Sequence, residues 1–386
     1  MATWAIRAVV LVAFLDLFIQ LPVISAYARS LGATASMGGA IVGMYSASNL
    51  VGNVGAGLLL DKLNRKRLIT IGMLLTAAAL YLYDFASTPG QLLALRAFHG
   101  LVAGVLAPGA FAMLGDRTTL HRTRSIGMSG ALIAVSAVIG PPLAGYIRDL
   151  WGFGAVFATS GTLMLLAAIV FLIKVPSMPI EAIRDRAVAG TRTSTPTWRR
   201  LTPVFCAVLA MTFGIGSLIN HLPIALELAG AAPRTAGIAF ATFSLMAAVV
   251  MASPVHRAID GVSRRLAVSL GFALLGGSSV ILGVSNGTAA PAFGAMVVFG
   301  LGFGLLFPSL GATVSEITSS RRTGTAFGIF YAVYSLGVVL GSTVSGIVAE
   351  MAAGLGAPFF VSAAVALIAL PTAVYIRAAR RGTAFA

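Results

Sequence analysis

The sequence predicts an all-α integral membrane protein with twelve transmembrane helices, arranged as two pseudo-symmetric bundles of six. Composition gives the first reason, because 58% of the residues are hydrophobic and only 10% are charged, with a mean hydropathy of +0.96. A soluble chain carries about 25% charged residues. The other two reasons are a series of twelve apolar runs of about 20 residues each and a repeat that relates the first six runs to the last six.

The apolar runs are long enough to cross a bilayer, since an α-helix rises about 1.5 Å per residue. A long polar stretch with Pro176 and Pro196 separates the sixth run from the seventh and is typical of a linker. We therefore predict an N-terminal bundle over residues 1–174, a cytoplasmic linker over 175–199 and a C-terminal bundle over 200–386. The predicted spans are 5–28, 37–60, 68–87, 91–114, 125–147, 154–174, 200–226, 236–257, 265–285, 291–315, 324–348 and 356–376.

The positive charge of the chain is concentrated on one side of these spans. The formal net charge is +15, and 22 of the 26 lysines and arginines lie in the termini and in the loops on the same side as the termini. The opposite loops hold only Arg29, Arg148 and Arg234. Because cytoplasmic loops are rich in lysine and arginine, we expect both termini in the cytoplasm of a bacterial inner membrane. Membrane topology therefore accounts for the charge, and we expect no nucleic-acid partner.

The two halves repeat at an offset near 200 residues. Pro108 matches Pro308, and Asp116 matches Glu316. Further matches are the turns Asp61–Lys66 and Asp260–Arg265 and the glycine pairs Gly140/Gly341 and Gly145/Gly346. A duplicated six-span unit is typical of transporters that hold a substrate between two halves near the middle of the membrane.

Charged side chains inside the spans are candidates for proton coupling, because each costs about 2.5–3.5 kcal/mol to insert. Asp16 lies near the middle of the first span, which also argues against a cleaved signal peptide. Such an acid can change its charge as a cavity opens to either side. Arg96 and His99 lie one turn apart in the fourth span, and Asp84 lies at the end of the third. The sequence leaves open whether Asp16 forms only a static ion pair with Arg96, and whether Arg96 pairs with Asp16 or Asp84.

Polar residues in both halves are candidates for the wall of a substrate cavity. Gln20, Tyr45 and Asn49 belong to the first half. In the second half, Asn220, His221 and Glu227 surround Pro223, which removes a backbone donor and favours a bend. This second group predicts a gate or part of a substrate site, and an interfacial polar cluster is the alternative.

The sequence gives no sign of enzyme chemistry. The four histidines are scattered and lack the spacing of a metal site. The phosphate-binding pattern GxxxxGK[ST] does not occur. We therefore expect no catalytic residues, no metal and no cofactor, and we expect the energy for transport to come from a proton gradient.

Three motifs make the chain similar to the major facilitator superfamily, and within it to the twelve-span drug:proton antiporters. The stretch GLLLDKLNRKR resembles the loop signature between the second and third spans. It matches at Gly57, Leu59, Asp61, Lys62, Arg65 and Lys66, and it has Asn64 where the family has glycine. LRAFHG, at residues 95–100, resembles the signature of the fourth span, with His99 in place of glutamine. GPPLAG resembles the antiporter signature of the fifth span at Gly140, Pro141, Pro142 and Gly145.

The resemblance implies a major facilitator fold and alternating access. It implies that Asp61 lies beside Gly324, at the start of the eleventh span, where the helix dipole favours a negative charge. The basic turn would then act as a latch for the outward-open state, and we expect Asn64 to preserve the turn by adopting a left-handed backbone.

The function that we expect is proton-coupled efflux of a small amphipathic or lipophilic compound by a monomer in the lipid bilayer. The alternative is an importer or uniporter of a sugar-like or nucleoside-like metabolite.

Overall fold

The computed structural model describes residues 2–60, 63–117, 122–176, 198–318, 323–352 and 354–376. These residues form fourteen α-helices and one short 3-10 turn, Tyr83–Phe85, and they contain no strand. The helices are α1 (Ala2–Gln20), α2 (Ile24–Ser30), α3 (Ala35–Leu60), α4 (Arg65–Leu82), α5 (Pro89–Ala103), α6 (Leu106–Arg117), α7 (Arg122–Lys174), α8 (Trp198–Leu228), α9 (Pro233–Ala252), α10 (Pro254–Ser285), α11 (Ala289–Ile317), α12 (Thr323–Met351), α13 (Ala357–Ala369) and α14 (Thr372–Tyr375).

The helices provide twelve membrane crossings, as predicted. Ten helical segments are long and apolar enough to cross a membrane, and one of them, Met128–Lys174, has 47 residues. That segment contains two crossings separated by Gly152, whose φ of 81° interrupts the helix. The 26-residue helix α3 is the remaining crossing, although its glycines, serines and asparagines make it less apolar. The prediction of an all-α membrane fold is therefore confirmed.

A proline determines where two of the predicted spans end or break. The predicted fourth span is broken between α5 and α6, because Pro108 cannot donate to the carbonyl of Gly104. The predicted eighth span ended at residue 257, but α9 ends at Ala252. Ser253 has extended dihedrals, φ −76° and ψ 159°, as expected of a residue that precedes a proline.

Asn64 adopts a different conformation from the one expected. Its φ of −64° and ψ of 111° are extended, so the left-handed backbone is not used. The Asn64 side chain instead accepts a hydrogen bond from the backbone N–H of Arg67 at 3.2 Å, and it therefore caps the start of α4. Asparagine is a favoured helix cap because its side-chain oxygen satisfies a free N–H in the first turn.

The packing of helices follows the predicted repeat. In the first half, α1 packs on α7 and α3 packs on α5, and in the second half the equivalent helices pair in the same way, α8 with α12 and α9 with α11. The two halves meet where α3 packs against α12 and α7 packs against α9. Most of the predicted linker falls outside the described residues, so the domain boundaries remain a prediction.

Glycines bring the halves together at one end of the bundle. We call this the far end; it carries the turns between α2 and α3, between α8 and α9, and between α12 and α13. A Cβ on Gly39 would lie 2.2 Å from the carbonyl oxygen of Ser342, and one on Gly346 would lie 2.3 Å from that of Ala35. On the other side of the bundle, a Cβ on Gly237 would lie 2.3 Å from the carbonyl oxygen of Pro141. Only glycine allows the backbones of the two halves to come this close.

The opposite end, called the basic end, carries the turn between α3 and α4. Glycines in this end of α3, α7, α11 and α12 have open space, because a Cβ on any of them would meet no atom within 4 Å; they are Gly55, Gly57, Gly130, Gly311 and Gly328. Among the described glycines, those at the far end therefore bring the backbones of the two halves into contact, and these five at the basic end do not.

We predict that Gly39→Ala disfavours the closed far end, because the added methyl group would overlap the backbone at Ser342. Overpacking of this kind costs about 1–3 kcal/mol. Spin labels on Phe85→Cys and Met351→Cys, in a Cys206→Ser chain, will measure far-end separation, since the two positions are 79% and 83% exposed. The distances should lengthen for Gly39→Ala. They should not lengthen for Gly55→Ala, and equal distances in both variants would contradict the prediction.

Candidate functional site

The carboxylate of Asp16 is the centre of a buried polar cluster and is only 1% exposed. The His99 Nε2 atom lies 3.0 Å from Asp16 Oδ2. Gln20 Nε2 donates to Asp16 Oδ1 at 2.8 Å, and Ser160 Oγ donates to the same oxygen at 3.0 Å. Helices α1, α5 and α7 thus each supply a partner. Both carboxylate oxygens are hydrogen-bonded, as burial of a charged group requires.

Arg96 contributes the positive charge of the cluster and reaches Asp16 through an intermediate side chain. Its Nη1 donates to Gln20 Oε1, while the amide of Gln20 donates to Asp16. Its Nε donates to the carbonyl of Ile41 at 3.2 Å. The guanidinium also lies over the ring of Tyr45, with 4.6 Å between Cζ and the ring centroid. Within the described part of the chain, Arg96 therefore makes no direct ion pair with a carboxylate.

Tyr83 completes the hydrogen bonding of His99. The Tyr83 hydroxyl lies 3.1 Å from His99 Nδ1, and both side chains are 0% exposed. A hydroxyl can donate or accept, and a neutral imidazole can carry its proton on either nitrogen. Each of the two hydrogen bonds of His99 can therefore run in either direction.

Asp84 lies outside this cluster. It is exposed, and its Oδ1 would lie 2.1 Å from a Cβ on Gly154. Gly154 is close to the start of the helical segment that follows Gly152, where the dipole favours a negative charge. Of the four residues predicted to couple protons, the structure thus brings together Asp16, Arg96 and His99.

The predicted cavity residues of the first half are divided between two roles. Gln20 and Tyr45 belong to the buried cluster. The Asn49 side chain instead donates to the carbonyl of Gly100 at 3.1 Å and accepts from Asn53 at 2.9 Å. Asn49 therefore joins α3 to α5.

The predicted cavity residues of the second half lie towards the far end. Asn220 donates to the carbonyl of Ser342 at 3.2 Å. His221 Nε2 lies 2.9 Å from the carbonyl oxygen of Leu355. Glu227 instead forms an ion pair with Arg148 of the first half. These contacts hold helices together, and Glu227 takes part in joining the two halves.

Polar contacts join the two halves at the far end. Arg148 binds Glu227 through both guanidinium nitrogens, with 2.9 Å between Nη2 and Oε2. Arg234 forms a second ion pair with Asp149. The backbone N–H of Ser36 also donates to Glu350 at 3.1 Å. Sequence reasoning missed these contacts, although the scarcity of charge in the far-end loops singled out Arg148 and Arg234.

The motif between the second and third spans lies only partly within the described residues. Asp61 and Lys62 lie outside the described residues, so the latch remains a prediction. The Nε of Arg65 donates to the carbonyl of Leu60 at 3.3 Å, and the carbonyl of Lys66 accepts from Thr70 at 2.8 Å. Gly57 has open space around it.

The fifth-span motif forms packing surfaces inside α7, which stays helical through Pro141 and Pro142. A Cβ on Gly140 would lie 3.1 Å from the Cβ of Phe18 in α1. One on Gly145 would lie 2.9 Å from the Cα of Arg234 in α9. The motif therefore faces a helix of its own half and a helix of the other half.

The family model of the Major Facilitator Superfamily matches residues 8–231 and 204–384, which together span almost the whole chain. The chain therefore belongs to the Major Facilitator Superfamily and is a multi-pass membrane transporter.

Two bacterial relatives are similar over most of their length. Multidrug resistance protein 2 of Bacillus subtilis (strain 168) is 24% identical over 374 residues, which cover 94% of this chain and 91% of the relative. Quinolone resistance protein NorA of Staphylococcus aureus (strain N315) is 23% identical over 365 residues, covering 92% and 91%.

Solved transporters share the fold. A bacterial homolog of the human lysosomal transporter Spinster, in an inward-facing and occupied conformation, has a TM-score of 0.84 at 14% identity and covers 98% of both chains. The nucleoside transporter NupG has a TM-score of 0.76 at 15% identity, covering 97% of this chain and 100% of the other.

We predict that His99→Ala destabilises the protein, because it removes the hydrogen-bond partner of Asp16 Oδ2 and of the Tyr83 hydroxyl. An unsatisfied buried polar group costs about 1–3 kcal/mol. Thermal unfolding in detergent should show a lower midpoint than in the parent chain. Phe98→Ala, at a position 39% exposed on the same helix, should lower it less. A smaller loss for His99→Ala than for Phe98→Ala would show that His99 does not hold the network together.

Proposed function

We propose that the chain is a secondary active exporter of the bacterial inner membrane, which moves small amphipathic or lipophilic compounds out of the cytoplasm in exchange for protons. The basic end then faces the cytoplasm, together with both termini, in keeping with the distribution of lysine and arginine. The proton gradient supplies the energy, no cofactor takes part, and the chain acts as a monomer.

The buried pair of Asp16 and His99 is the observation that carries this proposal. A carboxyl group that is 1% exposed within a membrane-spanning helix is costly to keep charged, and such residues mark proton relays. Arg96 keeps its positive charge throughout, so it tunes the neighbouring carboxylate and does not carry the proton. The proton carrier is thus the pair, with Asp16 as its acid.

Aromatic side chains in the second half support an apolar substrate. Rings from α9, α11 and α12 contact one another in a continuous series: Phe243, Phe299, Phe303, Phe307, Phe330 and Tyr334. Phe243, Phe299 and Phe330 are packed in the interior, whereas Phe303, Phe307 and Tyr334 are partly exposed. The exposed faces of these three rings would bind lipophilic compounds through buried area. The names of the multidrug and quinolone resistance relatives point to the same class of substrate.

The hydrogen bonds to Asp16 support the proposed direction of coupling. In the conformation closed at the far end, the carboxylate oxygens have three side-chain partners, so the charged form is well satisfied. This arrangement suits a state in which the proton has left towards the cytoplasm and the substrate enters from the same side. Opening of the far end then releases the substrate and lets a proton return to the pair.

We predict that Asp16→Asn abolishes efflux driven by a proton gradient, because asparagine cannot take up and release a proton. Export of a fluorescent amphipathic dye from proteoliposomes should fall to the level of empty liposomes. Binding of the dye should change by less than about threefold, which is under 1 kcal/mol.

Asp84→Asn is the matched control, since it neutralises an acid outside the cluster and should keep efflux. Full gradient-driven efflux by Asp16→Asn would remove Asp16 from the coupling role. Efflux from dye-loaded vesicles that persists after the gradient is dissipated would favour a uniporter.

For the latch, we predict that Asp61→Asn lowers the efflux rate and shifts the protein towards the state open at the basic end. The reason is that the change removes a negative charge that, by the family resemblance, would bind the helix dipole at the start of α12. Spin labels at the far end will report the shift. Unchanged rates with an unchanged distance distribution would show that Asp61 is not a latch.

A further inference from the structure

A continuous set of packed aromatic rings leads from the buried cluster to the far end. The ring of Tyr83, whose hydroxyl contacts His99, stacks on Phe157 with centroids 4.6 Å apart and planes 18° apart. Phe157 packs against Tyr27 at 5.2 Å, and Tyr27 packs against Phe153 at 5.0 Å. We call Tyr83, Phe157, Tyr27 and Phe153 the aromatic relay.

A hydrogen bond fixes the middle of the relay. The Tyr27 hydroxyl donates to the carbonyl of Tyr83 at 2.6 Å. Tyr27 is 7% exposed, while Tyr83 and Phe157 are 0% exposed. Close-packed buried side chains of this kind shift together, because the interior has little free volume in which one ring could move alone.

The far end of the relay lies under the inter-half ion pair. The guanidinium of Arg148 lies over the ring of Phe153, with 4.3 Å between Cζ and the centroid. The same guanidinium binds Glu227 of the second half. Arg148 is 10% exposed and Glu227 is 24% exposed, so the cation-π contact and the ion pair are both partly shielded from water.

Arg148 and the relay rings Phe153 and Phe157 lie on opposite sides of the break in α7 at Gly152. Arg148 precedes Gly152, and Phe153, Phe157 and Ser160 follow it. The segment after the break carries the hydroxyl that binds Asp16, and the segment before it carries the cation that closes the far end. Gly152, with φ of 81°, is therefore a point where the two segments can change their relative angle.

We propose that the aromatic relay positions Arg148, so that loss or gain of a proton by Asp16 and His99 changes the strength of the Arg148–Glu227 ion pair. When the pair takes up a proton, the Tyr83 hydroxyl changes from donor to acceptor at His99. The stacked rings pass the resulting displacement to Phe153, beneath Arg148. The inference rests on the proposed function. It adds the aromatic relay as a set of positioning residues, which act through Arg148 and Glu227.

Among the described residues, Asp84 is a charged group beside the middle of the relay, since its Oδ1 would lie 2.1 Å from a Cβ on Gly154, which follows Phe153. Asp16, Arg96, Tyr45 and Tyr83 are the titratable or charged side chains that contact or surround His99 in the buried cluster. At the far end, the second ion pair, Arg234–Asp149, lies in the same region. The Arg234 side chain is 50% exposed, and the described aromatic contacts place no ring beneath it, so it provides a matched comparison.

A double-mutant cycle tests the relay in the full chain reconstituted in liposomes. Spin labels on Phe85→Cys and Met351→Cys, with Cys206→Ser, give the ratio of open to closed far ends. Tyr83→Phe keeps the stacked ring and removes the hydroxyl that contacts His99. When Tyr83→Phe is combined with Glu227→Gln, the change in the open-to-closed ratio should differ about threefold or more from the product of the changes that the two single substitutions cause. When Tyr83→Phe is combined with Arg234→Gln, the change in the ratio should equal the product of the changes that the two single substitutions cause.

A second measurement is the pH dependence of the open-to-closed ratio at the far end. Substitutions in the relay would leave this pH dependence unchanged if the relay had only a structural role. In the parent chain, the open-to-closed ratio should change between pH 5 and pH 8, because gain and loss of a proton by Asp16 and His99 would act through the relay. Phe153→Leu should reduce this change at least about threefold, whereas Phe153→Tyr, which keeps a ring under Arg148, should preserve it. Phe360→Leu, at a position 45% exposed on α13, is the control for loss of a ring.

The outcomes separate the relay from the proposed function. Multiplicative effects in both cycles, or equal pH responses for Phe153→Leu and Phe360→Leu, would overturn the relay even if efflux still needs Asp16. Loss of the proposed function would instead appear as gradient-driven efflux by Asp16→Asn, in a protein whose far end still responds to pH.

Discussion

The burial of Asp16 is the constraint on which the rest of the first half depends. A charged group inside hydrocarbon costs about 2.5–3.5 kcal/mol, and the cost is offset only if partners are held in place around it. His99, Gln20 and Ser160 supply these partners from α5, α1 and α7. Because each partner comes from a different part of the chain, the cluster fixes how three helices pack, and any rearrangement of those helices alters the environment of the carboxylate.

The interface between the halves has a different character, because the proposed function requires it to open and close. At the far end it consists of glycine-to-backbone approaches, such as Gly39 against Ser342, and of ion pairs that are partly accessible to water. Contacts of these kinds contribute little each, since water can replace the ion pairs and the glycine surfaces bury small areas. The buried cluster is therefore held by several hydrogen bonds within one half, while the interface between the halves is held by weaker contacts.

The local chemistry of single residues modified the secondary structure at two places, Pro108 and Asn64. The fourth span was predictable in position, but its break before α6 depends on Pro108 and its missing N–H. Asn64 was expected to preserve the turn by adopting a left-handed backbone, yet it caps α4 with its side chain. Both features can be explained from the residues themselves. The pairing of Arg148 with Glu227 cannot, because 79 residues separate them and only the approach of the two halves brings them together.

The sequence by itself determined the all-α membrane class, the twelve crossings and the candidate acid Asp16, because apolar run length and an isolated charge are local properties that any chain displays. It also identified Arg96 and His99. Only the tertiary structure decided that Gln20 bridges Arg96 to Asp16, that Asp84 lies elsewhere, and that Glu227 joins the halves. The reason is that hydrogen bonds between helices depend on the rotation and depth of each helix, which are set by packing against its neighbours.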